Sequence, residues 1–442
     1  MHSLARWLEY IESFHPKGRD GIELGLDRAA CVRDELKQEK FCPLIVVGGT
    51  NGKGSTCAYL EGILSLSGCR VGCFTSPHLL EYNERIRIAC RPVDDETLCR
   101  AFSRVDAARK AAGNVFLTYF EFGMLAAWEV FAMERLDAVI LEVGLGGRLD
   151  AVNIYDPDVS VVTGVALDHT GWLGTTRESI AFEKAGIFRT GKPAICADSD
   201  PPRSLVGYAS DIGADLRLIG RDFGFLDEKT CWTFWWRDTP GTANESLPGR
   251  WNGLGYPKLQ GRCQLGNASA ALMALVSLKN RERLSEAAIR KGISEGELEG
   301  RFQVFSGPPV IVFDVAHNPQ AASVLAENLK NMGVFEKTFA VIGMLADKDI
   351  VGVLMALSGR VDVWLPALLD VPRGVDADTL ANFLEAQGRY VGDTFVSPEE
   401  AFARAVRLAG ENDRIIVFGS FLTVASVMRA MNRFPIFGCT NA

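Results

Sequence analysis

The stretch VVGGTNGKGSTCAYLEGIL, residues 46–64, joins an apolar run to a glycine-rich turn and then to a segment with helical spacing. This layout predicts a strand over 43–49 and a helix over 55–66, with a phosphate-binding loop between them. Backbone N–H groups of residues 50–54 can surround phosphate oxygens, and the helix N-terminus adds positive potential. Lys53 can neutralise phosphate charge, and the hydroxyl of Ser55 can bind phosphate or Mg²⁺. Gly54 separates the two, so the loop is a variant of the common pattern; a glycine turn with a solvent-facing lysine is the alternative.

Further apolar runs without alternation predict fully buried strands. They occupy residues 70–75, 137–143 and 158–166, with segments of helical spacing between them at 94–112 and 122–135. Alternating strands and helices are typical of a doubly wound, mostly parallel sheet. The alternation weakens over 197–262, where residues 223–236 predict antiparallel strands at the edge of the sheet and 239–257 a connection.

The strand and helix alternation restarts in the last third of the chain. Two helices, at 264–278 and 285–293, precede a polar, glycine-rich stretch at 294–309 that we interpret as a hinge between domains. New strands are predicted at 309–315, 338–344, 361–365 and 414–420. We therefore predict two α/β domains, residues 1–297 and 298–442, the second smaller and Rossmann-like.

The composition excludes several classes of protein. The chain has 442 residues and a formal net charge of −8, which disfavours general binding to nucleic acid. Its 11 cysteines contain no Cys-x-x-Cys pair, so neither a disulfide framework nor a structural zinc site is predicted. The N-terminus does not resemble a signal peptide, and no window approaches ~18 apolar residues. We expect a cytoplasmic protein that does not bind membranes.

Polar side chains also follow three of the apolar runs, at the edge where a doubly wound sheet collects its ligands. Ser76, Glu142 and the pair Asp168 and His169 each follow or end one such run. A hydroxyl, a carboxylate and an imidazole near a triphosphate suit Mg²⁺, which takes few protein ligands and retains waters. Alternatively, Glu142 pairs with an arginine and His169 is a structural histidine.

Other candidates lie further along the chain. Lys184 falls within an apolar helical segment beside Glu183, which by itself indicates a surface or paired lysine. Asp314 and His317 end a strand just before a helix and are placed to reach into a cleft. Arg301, in the hinge, offers a guanidinium that could reach phosphates.

Taken together, nine motifs resemble those of a known family. They are, in order, GTNGKGS, TSPHL, TYFE, LEVGLGGRLDA, LDHT, EKAGI, GRFQ, DVAHNP and FGSF. Their order and spacing are similar to those of the bifunctional dihydrofolate synthase/folylpolyglutamate synthases of the ATP-dependent Mur ligase superfamily. The resemblance extends from about residue 4 to residue 431. It implies an ATP-binding Mur-type domain with a pterin pocket, followed by a glutamate-ligase domain.

The activity implied by the resemblance is ATP-driven amide bond formation in folate biosynthesis and one-carbon metabolism. A carboxylate of dihydropteroate or of a reduced folate attacks the γ-phosphoryl group of ATP, and the amine of L-glutamate then displaces phosphate from the acyl phosphate. Because acyl phosphates hydrolyse readily, we expect a cleft between domains that closes. The implied cofactors are ATP and one or two Mg²⁺ ions, with a monovalent cation as an open requirement. We expect small-molecule partners alone and a monomer.

The resemblance assigns roles residue by residue. The implied ATP-binding residues are Thr50, Asn51, Gly52, Lys53, Gly54, Ser55, Asn267, Arg301 and Asp314. The implied metal ligands are Ser76, Glu142, His169 and Lys184. In this family the lysine of the EKAGI motif is carbamylated, so a modified Lys184 would help to hold a second Mg²⁺, which replaces the surface interpretation. Lys53, Lys184 and His317 are the implied catalytic residues, and His317 and Ser420 are implied in glutamate handling.

A pterin pocket is implied by three further segments. Its residues are Ile22, Glu23, Leu24, Thr118, Tyr119, Phe120, Glu121, Leu149, Asp150 and Ala151. Phe120 can stack on the pterin, and Asp150 can hydrogen-bond its amino-pyrimidine edge, although plain core packing explains Phe120 equally well. The sequence departs from the family at Val152, where threonine is usual, and at Leu422, where relatives often have a polar or aromatic residue.

Other functions stay open at this point. One is a folylpolyglutamate synthase that lacks activity on dihydropteroate. Another is a different Mur-type amide ligase; a muramyl ligase is disfavoured because only a short segment precedes the phosphate loop. A third is a regulatory ATPase without ligase chemistry, which would act independently of glutamate.

Overall fold

The computed structural model describes residues 3–18, 21–238, 249–278 and 284–431. The chain divides into two compact units. The first contains Met1–Lys258 and Gln264–Glu297, and the second contains Leu259–Cys263 and Leu298–Ala442. Each unit has its own hydrophobic core. No helix in the described parts of the chain has the length and apolar character needed to cross a lipid bilayer.

An eight-stranded sheet forms the frame of the first unit. Its strands are β1 (Leu44–Gly48), β2 (Val71–Phe74), β3 (Ile86–Ile88), β4 (Arg91–Pro92), β5 (Ala138–Glu142), β6 (Val159–Val162), β7 (Pro193–Cys196) and β8 (Asp215–Leu218). Their order is β4-β3-β2-β5-β1-β6-β7-β8, and all pairings are parallel except those of β3, which is antiparallel to both β2 and β4. β1, β2, β5 and β6 are buried along their whole length, which explains their apolar runs without alternation.

Ten α-helices lie wholly or, for α9, almost wholly in the described parts of this unit. They are α1 (Leu4–Glu12), α2 (Asp27–Leu36), α3 (Lys53–Leu66), α4 (Asp95–Ala111), α5 (Tyr119–Ala132), α6 (Thr170–Leu173), α7 (Arg177–Ala185), α8 (Arg203–Asp211), α9 (Cys263–Val276) and α10 (Glu286–Glu295). Short 3₁₀-helices cover Tyr82–Arg85 and Ala151–Ile154. Side-chain caps fix several starts: Asp94 accepts the N–H of Thr97 at the start of α4.

The region between 197 and 262 corrects one prediction. β9 (Phe223–Asp227), β10 (Trp232–Trp236) and β11 (Gly249–Leu254) form a separate three-stranded antiparallel sheet. β8, and not this segment, is the edge of the main sheet, so the predicted edge position is wrong. Stacked aromatic rings such as Phe234 and Trp236, 5.5 Å apart, give the small sheet an apolar face of its own. β11 shows that the predicted connection at 239–257 is wrong for Gly249–Leu254, which form a strand, and residues 239–248 lie outside the described residues.

The second unit contains a five-stranded sheet. Its strands are β12 (Gln303–Phe305), β13 (Val310–Phe313), β14 (Thr338–Ile342), β15 (Val363–Pro366) and β16 (Arg414–Phe418), and its helices are α11 (Pro319–Asn331), α12 (Ile350–Ala356), α13 (Ala377–Ala386), α14 (Pro398–Leu408) and α15 (Phe421–Ala430). The order is β12-β13-β16-β14-β15, with β12 antiparallel to β13. β12 lies within 294–309, so the prediction that this whole stretch is a hinge is wrong for Gln303–Phe305, which belong to the sheet.

Candidate active site

The glycine turn between β1 and α3 is held by the segment that follows β6. The N–H of Thr50 donates to the carbonyl of Gly164 at 2.8 Å, and the hydroxyl of Thr163 donates to the carbonyl of Asn51 at 2.6 Å. Gly49 has a φ of +142°, and a Cβ there would stand 1.9 Å from Oγ1 of Thr163. Glycine is therefore required at this position, because both the backbone conformation and the space exclude a side chain.

The N-terminus of α3 opens toward this turn. Gly52, with a φ of +89°, is its N-cap, and within the described chain no side chain caps the helix there. The N–H groups of a first helical turn have no partner inside the helix, so they attract anions. The ammonium of Lys53 folds back over the turn and donates to the carbonyls of Gly49 at 3.1 Å and Thr50 at 3.3 Å. Positive charge and helix dipole thus converge on one turn.

Helix α9 lies against the phosphate loop through two carboxamides. A Cβ at Gly52 would stand 2.3 Å from Oδ1 of Asn267. Asn267, one of the predicted ATP-binding residues, therefore contacts the loop directly. Gln264, one turn earlier, donates to Oγ of Ser55 at 3.4 Å and accepts from Asn267 Nδ2 at 3.1 Å. Sequence reasoning missed Gln264. Its spacing of three residues from Asn267 in an otherwise apolar helix was the available signal.

The predicted metal ligands lie at the carboxyl ends of the central strands. Glu142 ends β5 with 4% of its surface exposed, and its Oε2 accepts the N–H of Ser76 at 3.2 Å. His169 has a φ of +51° at the start of α6, with its Nε2 4.0 Å from Oδ1 of Asp168. The structure therefore brings Ser76 and Glu142 together and places His169 beside Asp168.

The predicted metal ligands offer a donor set that suits one kind of metal ion. The described residues contain no group of three or more His, Cys, Asp or Glu side chains that could hold a metal ion by themselves. One carboxylate, one imidazole and one hydroxyl form a small set, which fits Mg²⁺ because that ion keeps several waters and binds substrate phosphates. The carboxylate held at the end of β5 meets this requirement.

Lys184 and Asp150 form a buried pair of titratable groups. Lys184 is 4% exposed on α7, and burial, followed by the charge of Lys53, lowers the pKa of its amine to about 7. Burial raises the pKa of Asp150 to about 7. The N–H groups of Leu145 and Val152, which donate to its carboxylate, act in the opposite direction and lower the pKa. Lys53, Asp150 and Lys184 are close enough to interact electrostatically. The interpretation of Lys184 as a surface lysine is wrong.

The end of α7 is clamped to the glycine-rich loop after β5. The N–H of Arg148 donates to the carbonyl of Glu183 at 2.7 Å, and the two side chains form an ion pair at 2.8 Å. The amide of Asn153 donates to the carbonyls of Arg148 and Gly186, both at 3.0 Å. A Cβ at Gly147 would stand 2.8 Å from the carbonyl of Glu183. These contacts, which sequence reasoning missed, fix the backbone on either side of Lys184.

The three segments of the predicted pterin pocket meet around Arg28. Its guanidinium donates to the carbonyl of Glu23 at 2.6 Å and to the buried carboxylate of Glu121 at 2.9 Å. The N–H of Gly25 donates to the carbonyl of Leu149 at 3.1 Å. The structure thus links residues 22–24, 118–121 and 149–151. Arg28 is a further residue that sequence reasoning did not single out.

The predicted pocket residues differ in how far they are buried and in how many contacts they make within the protein. Glu121 forms a capping box with Thr118 at the start of α5. Tyr119 is buried, with its ring 5.7 Å from that of Tyr82. Phe120 is half-buried, with its ring 5.6 Å from that of Phe74. Of these side chains, Phe120 therefore keeps the most surface for a ligand, and Ile22 and Leu24 are also partly exposed.

The remaining predicted residues form a cluster in the second unit. The carboxylate of Asp314 accepts the N–H groups of Phe302 at 2.9 Å and Ala316 at 2.7 Å, and burial raises its pKa. The guanidinium of Arg301 lies 5.1 Å from the ring centre of Phe421, and His317 lies 6.4 Å from the same ring.

Ser420 has a structural role that the residues of this cluster do not share: it caps the N-terminus of α15. Its Oγ accepts the N–H of Thr423 at 3.0 Å and lies 2.8 Å from the hydroxyl of Thr423. The hydroxyl of Thr423 in turn donates to the carbonyl of Gly343. The hydroxyl of Ser420 therefore already serves as a helix cap inside the unit.

Comparisons with known proteins show which family this chain resembles. Residues 300–421 match the family model for the Mur ligase, glutamate ligase domain. The dihydrofolate synthase/folylpolyglutamate synthase of Escherichia coli K12 is 44% identical over 430 residues, covering 97% of this chain and 96% of that protein. The structure of E. coli FolC in complex with DHPP and ADP has a TM-score of 0.88 at 42% identity and covers 98% of both chains.

A second solved structure extends the comparison to other ligands. It is a bifunctional folylpolyglutamate synthase/dihydrofolate synthase with Mn, AMPPNP and L-glutamate bound, and it has a TM-score of 0.86 at 43% identity, with 98% of both chains covered. The predicted resemblance, the two-domain Mur-type α/β fold and the predicted ATP-dependent ligase function are confirmed by these relatives. The chain belongs to the dihydrofolate synthase/folylpolyglutamate synthase family.

Proposed function

We propose that this chain adds L-glutamate to dihydropteroate and to reduced folates, with ATP as the energy source and an acyl phosphate as the intermediate. The observation that carries the proposal is the loop between β1 and α3. There the ammonium of Lys53 lies over the carbonyls of Gly49 and Thr50, at the start of α3, which no side chain of the described residues caps. This arrangement suits the terminal phosphates of a nucleotide.

Phosphoryl transfer depends mainly on positioning and on neutralising charge. The N–H groups at the start of α3 and the Lys53 ammonium supply positive charge that is already oriented, because the turn is fixed by Thr163 and Gly164. The carboxylate of the acceptor then attacks the γ-phosphorus, the bond to the β,γ-bridging oxygen breaks, and ADP leaves. The amine of glutamate attacks the acyl carbon, loses a proton and displaces phosphate.

Ser76, Glu142 and His169 are the residues that would hold Mg²⁺. When bound, this ion withdraws charge from the phosphoryl oxygens. The contribution of the chain is to orient the ligands in advance: the N–H of Ser76 holds the carboxylate of Glu142 at the carboxyl end of β5. A carboxylate that is already placed needs little rearrangement when substrate arrives.

Lys184 is proposed to be carbamylated. Its neutral amine would form an N–C bond with CO₂ and release one proton, and the new carboxylate would help to hold a second Mg²⁺. Support comes from its burial on α7 and from the lowered pKa of its amine, about 7, because the neutral form is the nucleophile. The clamp between Arg148 and Glu183 fixes the adjacent backbone.

The acceptor is proposed to bind at the segments joined by Arg28, with Phe120 stacking on the pterin and Asp150 accepting its N–H groups. In the second unit, Arg301 and Asp314 are proposed to bind ATP. For glutamate, His317 is the stronger candidate, because the hydroxyl of Ser420 already caps α15. Two predictions stay as they are: a cytoplasmic location and a monomeric state. The requirement for a monovalent cation stays open.

The test is phosphate release from ATP in the presence of glutamate and either dihydropteroate or tetrahydrofolate. We expect release with both acceptors, and none when glutamate is omitted. Release with tetrahydrofolate alone would reduce the function to folylpolyglutamate synthesis. Release that does not require glutamate would contradict the proposal and indicate an ATPase.

A further inference from the structure

A buried network of hydrogen bonds connects α3 to α9 in the first unit. The side-chain oxygen of Gln264 accepts from the hydroxyl of Tyr59 at 3.3 Å and from the amide of Asn267 at 3.1 Å, while its amide donates to the hydroxyl of Ser55 at 3.4 Å. All four side chains are buried, at 9% exposure or less. Gln264 thus joins two predicted nucleotide ligands, Ser55 and Asn267, without being one of them.

We propose that Gln264 is a positioning residue for the nucleotide, which orients the hydroxyl of Ser55 and the carboxamide of Asn267 in the phosphate loop. The inference rests on the proposed function of that loop. A hydroxyl has one proton and two acceptor lone pairs. Because the amide of Gln264 donates into one lone pair of Ser55, the proton and the second lone pair are left to face phosphate or Mg²⁺.

The same side chain determines the direction of Asn267. The oxygen of Gln264 is an acceptor, so it selects the amide group of Asn267 and turns Oδ1 the other way. Oδ1 then lies against Gly52, where a Cβ would stand only 2.3 Å from it. One glutamine therefore sets the orientation of two polar groups at the start of α3.

Two substitutions at Gln264 separate orientation from packing. Gln264→Met keeps the length and most of the volume but removes both polar atoms. Gln264→Glu keeps the acceptor for Tyr59 and Asn267 and loses the donor to Ser55. Tyr59→Phe is the matched control, because it removes a buried hydrogen bond to the same oxygen and leaves the contacts to Ser55 and Asn267 in place.

We expect both Gln264 variants to raise the KM for ATP, and the Kd for ADP measured by calorimetry, by about tenfold, the effect of one or two lost hydrogen bonds. The KM for glutamate should stay unchanged, and Tyr59→Phe should leave all three constants unchanged while lowering the melting temperature. If Gln264→Met does not fold, Gln264→Glu decides the question.

Two results would overturn the inference. One is nucleotide constants in the Gln264 variants that match those of the unaltered protein or of Tyr59→Phe; the other is a glutamate KM that shifts by the same factor as the ATP KM. Lys53→Ala, assayed in parallel, tests the proposed function separately. Full activity in Lys53→Ala would refute the phosphate role of the loop. If Lys53→Ala loses activity but Gln264→Met binds nucleotide normally, only the role of Gln264 is refuted.

Discussion

Oδ1 of Asn267 lies 2.3 Å from the position that a Cβ atom would take at Gly52, so the carboxamide is in direct contact with the turn of the phosphate loop. Gly52 also has a φ of +89°. Gly52→Ala should therefore push Asn267 away and strain the turn. Because the contact between Asn267 and the phosphate loop is then lost, the KM for ATP should rise at least about tenfold.

Gly68, just beyond the end of α3, is the matched control for Gly52→Ala. Its φ of +84° is similar, but a Cβ there meets nothing within 4 Å. Gly68→Ala should lower the free energy of unfolding by about 1 kcal/mol, the cost of a side chain in the left-handed region, with normal kinetics. Steady-state kinetics and thermal melts of the two variants check the prediction. Equal ATP constants in both would contradict it.

Lys53→Ala should abolish ligation while the protein remains folded. The ammonium donates to two carbonyls of its own loop. The buried carboxylate of Asp150, which interacts with it electrostatically, keeps the N–H groups of Leu145 and Val152 when Lys53 is removed. The loss of a preorganised positive charge at the phosphates should reduce kcat at least about 100-fold. Phosphate release with glutamate and dihydropteroate measures the effect. Lys291→Ala, at an exposed lysine of α10, should behave like the unaltered protein; retained activity in Lys53→Ala would refute the assigned role.

Much of the first unit could be predicted because its signals are local. Buried parallel strands leave unbroken apolar runs, and the turn at Gly49 and Gly52 needs glycine for reasons of backbone geometry, so both features appear directly in the sequence. β9, β10 and β11 were placed wrongly because pairing between strands is a tertiary property, and an aromatic run such as 232–236 fits the edge of a large sheet as well as a small sheet of its own.

The site residues that were missed share one property: each acts through another residue. Gln264, Arg28 and Arg148 contact side chains or carbonyls that lie far away in sequence, such as Glu121 for Arg28. Apart from the spacing of three residues between Gln264 and Asn267, no local pattern marks such partners, because the fold creates the distances that bring them together. The surface interpretation of Lys184 failed for the same reason, since its burial depends on the loop that packs on α7.

Glu142→Gln should raise the concentration of Mg²⁺ needed for half-maximal activity by about tenfold or more, because a charged ligand is replaced by a neutral one. Glu142 is 4% exposed, so a buried glutamate elsewhere is the fitting control. Glu129, 3% exposed and paired with Arg104, provides it. Glu129→Gln should lower the melting temperature without changing the metal titration. A titration that is the same for Glu142→Gln and the unaltered protein would count against the metal role.

Arg28→Met should weaken binding of the acceptor. The guanidinium links the carbonyl of Glu23 to the carboxylate of Glu121, so its loss separates two walls of the proposed pterin pocket. The KM for dihydropteroate should rise by about tenfold, as expected for a lost charged hydrogen bond, while the KM for ATP stays unchanged. Arg33→Met is the control on the same helix. Arg33 also donates to a backbone carbonyl, but that carbonyl belongs to Ile154, which is not one of the proposed pocket residues. Equal acceptor constants in the two variants would argue against a pterin site around Arg28.

The proposed carbamylation of Lys184 should make the activity depend on pH and CO₂. Its amine has a pKa lowered to about 7, so it is protonated below that pH and neutral above it. Carbamate formation needs the neutral amine and releases a proton, and activity at a fixed CO₂ concentration should therefore rise as the pH increases from about 6 to 8. Labelled ¹³CO₂ should give a carbamate signal in the ¹³C NMR spectrum of the protein, and the signal should be absent in Lys184→Ala.

Lys184→Ala should lose most ligase activity and regain part of it when short carboxylates such as acetate or propionate are added, because they can occupy the space of the lost carbamate. Lys192→Ala, at a half-exposed lysine paired with Asp158, should keep full activity and show no response to carboxylates. The folded-state pKa of Lys184 lies below its ordinary value of 10.5, so the unfolded chain binds more protons between about pH 7 and 10.5. The stability of the unmodified protein should accordingly increase with pH across that interval by more than that of Lys184→Ala. If Lys184→Ala were fully active in CO₂-free buffer, a carbamate could have no part in catalysis, and the buried amine would be a structural feature of α7.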